Sequence, residues 1–217
     1  MDPDLAVLAP FAGEGAFREA APEDAVLGVM PRAVIEPATQ ADVAGVLKAA
    51  SAAGLAVAPR GSGTKRGWGA PPRRLDVVLS TRRLSRVLDH AWEDMTATVE
   101  AGCPVAAFER SLAERGQRLV LDPTRADRAT VGGVLATNES GALRTRFGAA
   151  RDLLIGVTLA LADGTLAKSG GKVVKNVAGY DLQKLAIGSL GTVGVIVEAT
   201  FRLYARPRAT AGLTFEG

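Results

Sequence analysis

One cysteine, Cys103, leaves no room for an internal disulfide framework or for an iron–sulfur cluster held by this chain's own thiolates. No metal site is expected. Histidine also occurs once, as His90, which narrows the choice of general bases. Aromatic residues make up only 5% of the chain, too few for the stacking platforms of a single-strand nucleic-acid binder. The basic residues are scattered and the net charge is a modest +3, so no nucleic-acid partner is expected. No apolar run approaches the ~18 residues of a transmembrane helix. The N-terminus, MDPDLAVLAP, is acidic and lacks the basic start of a secretory signal, which makes a cytoplasmic location the expectation.

Apolar residues and glycine are plentiful. Hydrophobic residues make up 47% of 217, enough for one large domain or two small subdomains sharing a core. There are 25 glycines, and they cluster. The first cluster follows the apolar run Leu55-Ala56-Val57-Ala58, in PRGSGTK (residues 59–65) and the RGWG after it. Glycine lets backbone N–H groups approach an anion closely. Ser62 and Thr64 add hydroxyls, and Arg60, Lys65 and Arg66 add positive charge. This is the composition of a phosphate or pyrophosphate loop. It is not a Walker loop, because Lys65 lies between Thr64 and Arg66. Nor is it the dinucleotide fingerprint: the spacing is GxGxxxG, and Pro71-Pro72 prevent a helix soon afterwards.

Along the chain, residues 1–30 read as a weakly patterned segment wrapping the surface. Ala33-Val34-Ile35 is a strand candidate. Thr39 is an N-cap, with Asp42 three residues later, for a helix bearing Val43, Val46, Leu47 and Ala50 on one face and closed by Gly54. Strands are expected at 75–79, 86–89 and 95–100, the last two as a hairpin around Trp92-Glu93-Asp94. This gives a first α+β unit over 31–100. Pro104 opens a second helix, with Val105, Phe108 and Leu112 inward and Gly116 after its end. ATVGGVLATNESG (129–141) is the second glycine-rich stretch. Asp163-Gly164 is a hairpin turn after a strand within 152–163. A short helix over 181–187, with Asp181 as its cap, and a long strand over 193–204 complete a second unit, 101–207, followed by 208–217, the start of a further, missing domain or a tail.

Taken together, PRGSGTK, ATVGGVLATNESG, KNVAGYDLQKL (175–185) and GSLGTVGVIVEATFRL (188–203) resemble, in that order, the FAD-binding domain of the vanillyl-alcohol-oxidase, or PCMH-type, flavoproteins. KNVAGYDLQKL is similar to the glycolate oxidase and D-2-hydroxy-acid dehydrogenase branch. The combination looks like the smaller, E-type FAD-binding subunits of bacterial glycolate oxidases. The resemblance implies an α+β, two-subdomain fold without the cap domain that usually follows. It implies non-covalent FAD, since the phosphate loop holds neither His nor Cys. Arg60, Gly61, Ser62, Gly63, Thr64 and Lys65 would face the pyrophosphate. Pro123, Thr130, Val131, Gly132, Gly133, Ala136, Thr137, Asn138, Gly141, Val195 and Ile196 would line the flavin side. Trp68 would cover a ring or anchor the loop. Lys172 and Lys175 would lie near the flavin or in solvent. No catalytic base is identifiable, and His90 reads as a surface residue.

The function implied is oxidation of a 2-hydroxy acid, glycolate to glyoxylate, within a complex. The partners would be a larger flavin subunit and an iron–sulfur subunit, with peripheral attachment to the inner face of the membrane through them. Two alternatives stay open: the FAD-binding domain of another flavin oxidoreductase of this fold, and a flavin-binding subunit with a structural role only.

Overall fold

A computed structural model describes residues 3–171 and 183–214. Residues 175–182 of the expected motif KNVAGYDLQKL lie outside them, Lys175, Tyr180 and Asp181 included, as does Lys172.

After a 3-10 helix (Pro3–Phe11), the chain forms β1 (Phe17–Glu19), β2 (Ala33–Ile35), α1 (Gln40–Ala52), β3 (Val57–Arg60) and β4 (Val77–Ser80). These strands make a four-stranded sheet in the order β1-β2-β4-β3. The β2–β4 and β3–β4 pairs are parallel, and β1 is an antiparallel edge. Helix α1 starts where the sequence places it. Thr39 is extended, and its hydroxyl accepts from the Asp42 N–H at 3.1 Å. Val43, Ala44, Val46 and Ala50 are buried on one stripe, and each valine so buried stabilises by about 1.5–3 kcal/mol.

Next come β5 (Val87–Ala91), β6 (Thr96–Glu100), α2 (Val105–Ala113), β7 (Gln117–Arg118), α3 (Val131–Thr137), α4 (Arg144–Phe147), α5 (Ala150–Leu153), β8 (Leu154–Ala160), β9 (Leu166–Gly170), α6 (Gln183–Ala186), β10 (Val195–Arg202) and β11 (Tyr204–Ala205). A five-stranded sheet runs β5-β6-β10-β8-β9, antiparallel throughout. Strands β7 and β11 pair separately.

Two sequence expectations differ from what is observed. The hairpin β5–β6, assigned to the first unit, hydrogen-bonds into the second sheet, where Thr96–Glu100 pairs with residues 198–202. The change of sheet therefore falls between Ser80 and Val87. All five residues of β6 are buried, so this strand needs a covered neighbour on both sides, and β10 provides one. The N-terminal segment does more than wrap the surface. Leu5 and Leu8 are buried against the α1 core, and β1 extends the first sheet.

The second sheet, α2 and α3 share one core that includes Phe108, Leu112, Val131, Leu135 and Phe201. A second core joins α1 and the first sheet to Ala160, Val195 and Val197 of the second sheet. The two sheets are thereby held together, and the ends of β3, α3 and β10 meet at their junction.

Candidate functional site

At that junction is a cleft of about 540 Å³. The close approach of its walls depends on missing side chains. A Cβ on Gly61 would collide with the Thr130 hydroxyl, and one on Gly191 with the Pro59 ring. The three glycine-rich segments are therefore packed directly on one another: the loop after β3, the start of α3, and the turn before β10. The last of these is pinned to α3, because the Gly188 and Leu190 N–H groups donate to the Leu135 and Ala136 carbonyls at 2.9 and 2.8 Å.

The phosphate loop leaves β3 at Arg60 and stays irregular, as the spacing implies. Gly63 has φ +78°, a conformation glycine adopts without strain. The Ser62 hydroxyl is buried and has no hydrogen-bond partner. Thr81, on the floor of the cleft, donates its N–H to the Arg60 carbonyl at 2.9 Å. Across the cleft, Thr130 caps α3 by accepting from the Gly133 N–H at 3.3 Å. The Thr137 hydroxyl is tied to the Gly133 carbonyl at 2.8 Å.

Of the residues singled out from sequence, Arg60, Gly61, Ser62, Gly63, Thr64 and Lys65 line the cleft from one side. Thr130, Gly132, Gly133, Ala136, Thr137, Val195 and Ile196 line it from the other. Val131, Asn138, Pro123 and Gly141 do not reach it. Val131 points into the core. Asn138 is the left-handed C-cap of α3, with φ 51°. Pro123 and Gly141 belong to a neighbouring junction. There Asp122 accepts from the Gly141 and Leu143 N–H groups at 3.0 and 2.9 Å. Glu139 accepts from the Thr124 N–H and hydroxyl at 3.0 and 2.9 Å. These two carboxylates fasten the stretch after α3 to the stretch before it.

Charge is distributed differently from the sequence reading. Lys65 forms an ion pair with Glu139, both side chains being only 10% exposed. Burial alone would raise the Glu139 carboxyl, but the bonds from Lys65 and Thr124 outweigh it and hold the group below its ordinary value. The Arg60 guanidinium donates to Asp24 at 2.7 Å. Arg66, Trp68, Leu190 and Val26 also line the cleft. Trp68 is 51% exposed at its rim. Of these, Val26 carried no sequence signal, and Leu190, although inside the glycine-bearing stretch 188–203, is an apolar residue that the pattern does not single out. His90 is remote: its Nε2 lies 2.8 Å from Gln117 Oε1, beside the β5–β6 turn. Cys103 is buried, and burial pushes its thiol up.

The family model described as FAD binding domain matches residues 31–170. Glycolate oxidase subunit GlcD of Bacillus subtilis (strain 168) is 35% identical over 178 residues, covering 82% of this chain and 38% of that protein. D-2-hydroxyglutarate dehydrogenase of Xanthomonas citri pv. viticola is 36% identical over 177 residues, covering 82% and 38%. The chain thus spans about two-fifths of the length of these relatives. Among solved structures, an alkyldihydroxyacetonephosphate synthase superposes with a TM-score of 0.81 at 22% identity, over 95% of this chain and 41% of that one, a likeness of fold. The matched span covers more than half of the residues and carries two of the three cleft-forming segments: this chain belongs to the FAD binding domain family.

Proposed function

We propose that the cleft holds FAD non-covalently and that the chain is the flavin component of a glycolate oxidase-like complex oxidising a small 2-hydroxy acid, glycolate to glyoxylate. The observation that carries the binding mode is the Ser62 hydroxyl, buried without a partner in a glycine loop that lines the cleft. An orphaned donor at that position suits a phosphate oxygen. The cofactor's diphosphate would lie along Gly61 to Thr64. Its ring system would lie against the α3 side, Thr130 to Thr137, and the start of β10 at Val195 and Ile196. No described residue lining the cleft is a His or a Cys, which favours release of the flavin on denaturation.

Bound FAD would take the two electrons and the hydrogen removed from the carbinol carbon of the substrate. The chain's own residues bind and orient it. The described residues of the cleft include no carboxylate and no imidazole to take the hydroxyl proton. That group is assigned to partner chains, a larger flavin subunit with its own cap and an iron–sulfur subunit. The latter would carry electrons away, which this chain's single cysteine cannot do. Among the described residues no helix is long and apolar enough to cross a membrane. The location that goes with this reading is the cytoplasm, with peripheral attachment to the inner face of the membrane through the partners.

The test is an absorption spectrum of the purified protein, followed by anaerobic glycolate or D-lactate with and without the candidate subunits. The expected result is a flavin spectrum that bleaches only when partners are present. Turnover by the isolated chain of about 1 s⁻¹ or more would contradict the dependence on partners. Bleaching by a nicotinamide cofactor instead would point to a different oxidoreductase. A flavin that nothing reduces would point to a structural role.

A further inference from the structure

Three cationic side chains line the cleft among the described residues: Arg60, Lys65 and Arg66. Two of them are already paired. Lys65 is committed to Glu139, and Arg60 to Asp24, whose side chain is 2% exposed. Moving Lys65 to a ligand would take the only described cation from the nearly buried Glu139 carboxylate, and moving Arg60 would break one of the contacts that hold Asp24, each at a cost. Arg66 makes no hydrogen bond or ion pair with any described residue. It is exposed, yet it does not point away from the loop. Its Cδ and Nε stand 3.3 and 3.4 Å from the position a Gly63 Cβ would take, so the side chain folds back over the glycine turn. Its guanidinium meets no partner among the described residues, and its planar fork matches phosphate oxygens.

We propose that Arg66 is the cation that recognises the diphosphate of the ligand, while Lys65 and Arg60 set the shape of the loop. The inference rests on the FAD reading and assigns the charge within it. It also divides roles that look equivalent in the sequence, where three basic residues surround one glycine loop.

The test measures FAD dissociation constants of the full chain by flavin fluorescence at low and moderate salt. Arg66→Gln should weaken FAD binding about tenfold or more and flatten its salt dependence. Arg66→Lys should recover part of the loss. The charge-neutral double variant Lys65→Met/Glu139→Gln should keep the salt dependence of the wild type. A second probe needs no flavin: inorganic pyrophosphate should raise the thermal midpoint of the wild type and not that of Arg66→Gln. The proposal is overturned if Arg66→Gln binds FAD as the wild type does, if the salt dependence disappears in the double variant instead, or if pyrophosphate stabilises neither protein. Arg66-dependent stabilisation by pyrophosphate in a protein that does not take up FAD would retain the anion site and reject the FAD reading.

Discussion

Asp24 and Arg60 are 36 residues apart in sequence and 2.7 Å apart in space. The same carboxylate takes both Nη atoms of Arg18, at 2.7 and 2.9 Å, and the Ala21 N–H at 2.9 Å. The N-terminal segment, which precedes the matched span, thus reaches the root of the phosphate loop. The Arg18 bond, reinforced by Ala21 and Arg60, holds the Asp24 carboxyl well below the usual carboxylate range. Its folded pKa is depressed, so its stabilisation is present at neutral pH and is lost as the pH falls below about 4. Asp24→Ala leaves the Arg60 guanidinium, 14% exposed, without its carboxylate. The expected loss is about 3–5 kcal/mol, read from urea unfolding at neutral pH. A variant as stable as the wild type would mean that the segment is not coupled to the loop.

Gly61 and Thr130 should show the opposite kind of coupling. Gly61→Ala forces its Cβ onto the Thr130 hydroxyl and should cost about 1–3 kcal/mol by overpacking. In Gly61→Ala/Thr130→Ala the clash is reduced, and the double variant should be more stable than the sum of the single losses. Strict additivity in the cycle would show that the two walls do not touch as described.

Glu109 gives a pH dependence of known sign. Burial pushes its carboxyl up to about 7, against the pull of the Leu119 N–H, Arg118 and Arg206, and its buried Oε1 has no partner. Below about pH 4.5 both the folded and unfolded chains hold the proton. Between there and about 7 only the folded chain does, so folding loses stability as the pH rises across this window. The loss is at most about 3 kcal/mol. Glu109→Gln should therefore unfold at similar urea concentrations at about pH 5 and about pH 8, apart from other titrations, and should exceed the wild type at the higher value. An unchanged wild-type slope in the variant would assign the dependence to other groups.

Attachment of the flavin is tested by denaturation. Acid or guanidinium should release all of the colour into the filtrate, since the described lining of the cleft holds no histidine or cysteine. Yellow colour retained by the unfolded polypeptide would require a covalent bond.

The loops were legible in the sequence, and their partners largely were not. Gly61, Gly63, Gly132 and Gly133 stand out because few side chains permit such approach, and all four line the cleft. The cap Thr39 was readable from local pattern alone. The sheet to which β5 and β6 belong was not, because it is decided by pairing with residues about a hundred positions later. The pairing of the charges near the loop was hidden for a similar reason. Lys65 is paired with Glu139, and no local pattern announces that pair. Pro123 and Gly141 sit in the right neighbourhood but serve the junction held by Asp122 and Glu139.

The central claim is that this cleft is the flavin site, and an equilibrium titration with FAD tests it most directly when the wild type and Gly63→Val are run side by side. Gly63 holds φ +78°, and a β-branched side chain there is strained and crowds Arg66 at 3.3 Å. The account predicts saturation of the wild type at one FAD per chain and no measurable uptake by a folded Gly63→Val protein. A wild-type chain that does not bind FAD, or a valine variant that binds it equally well, would contradict it.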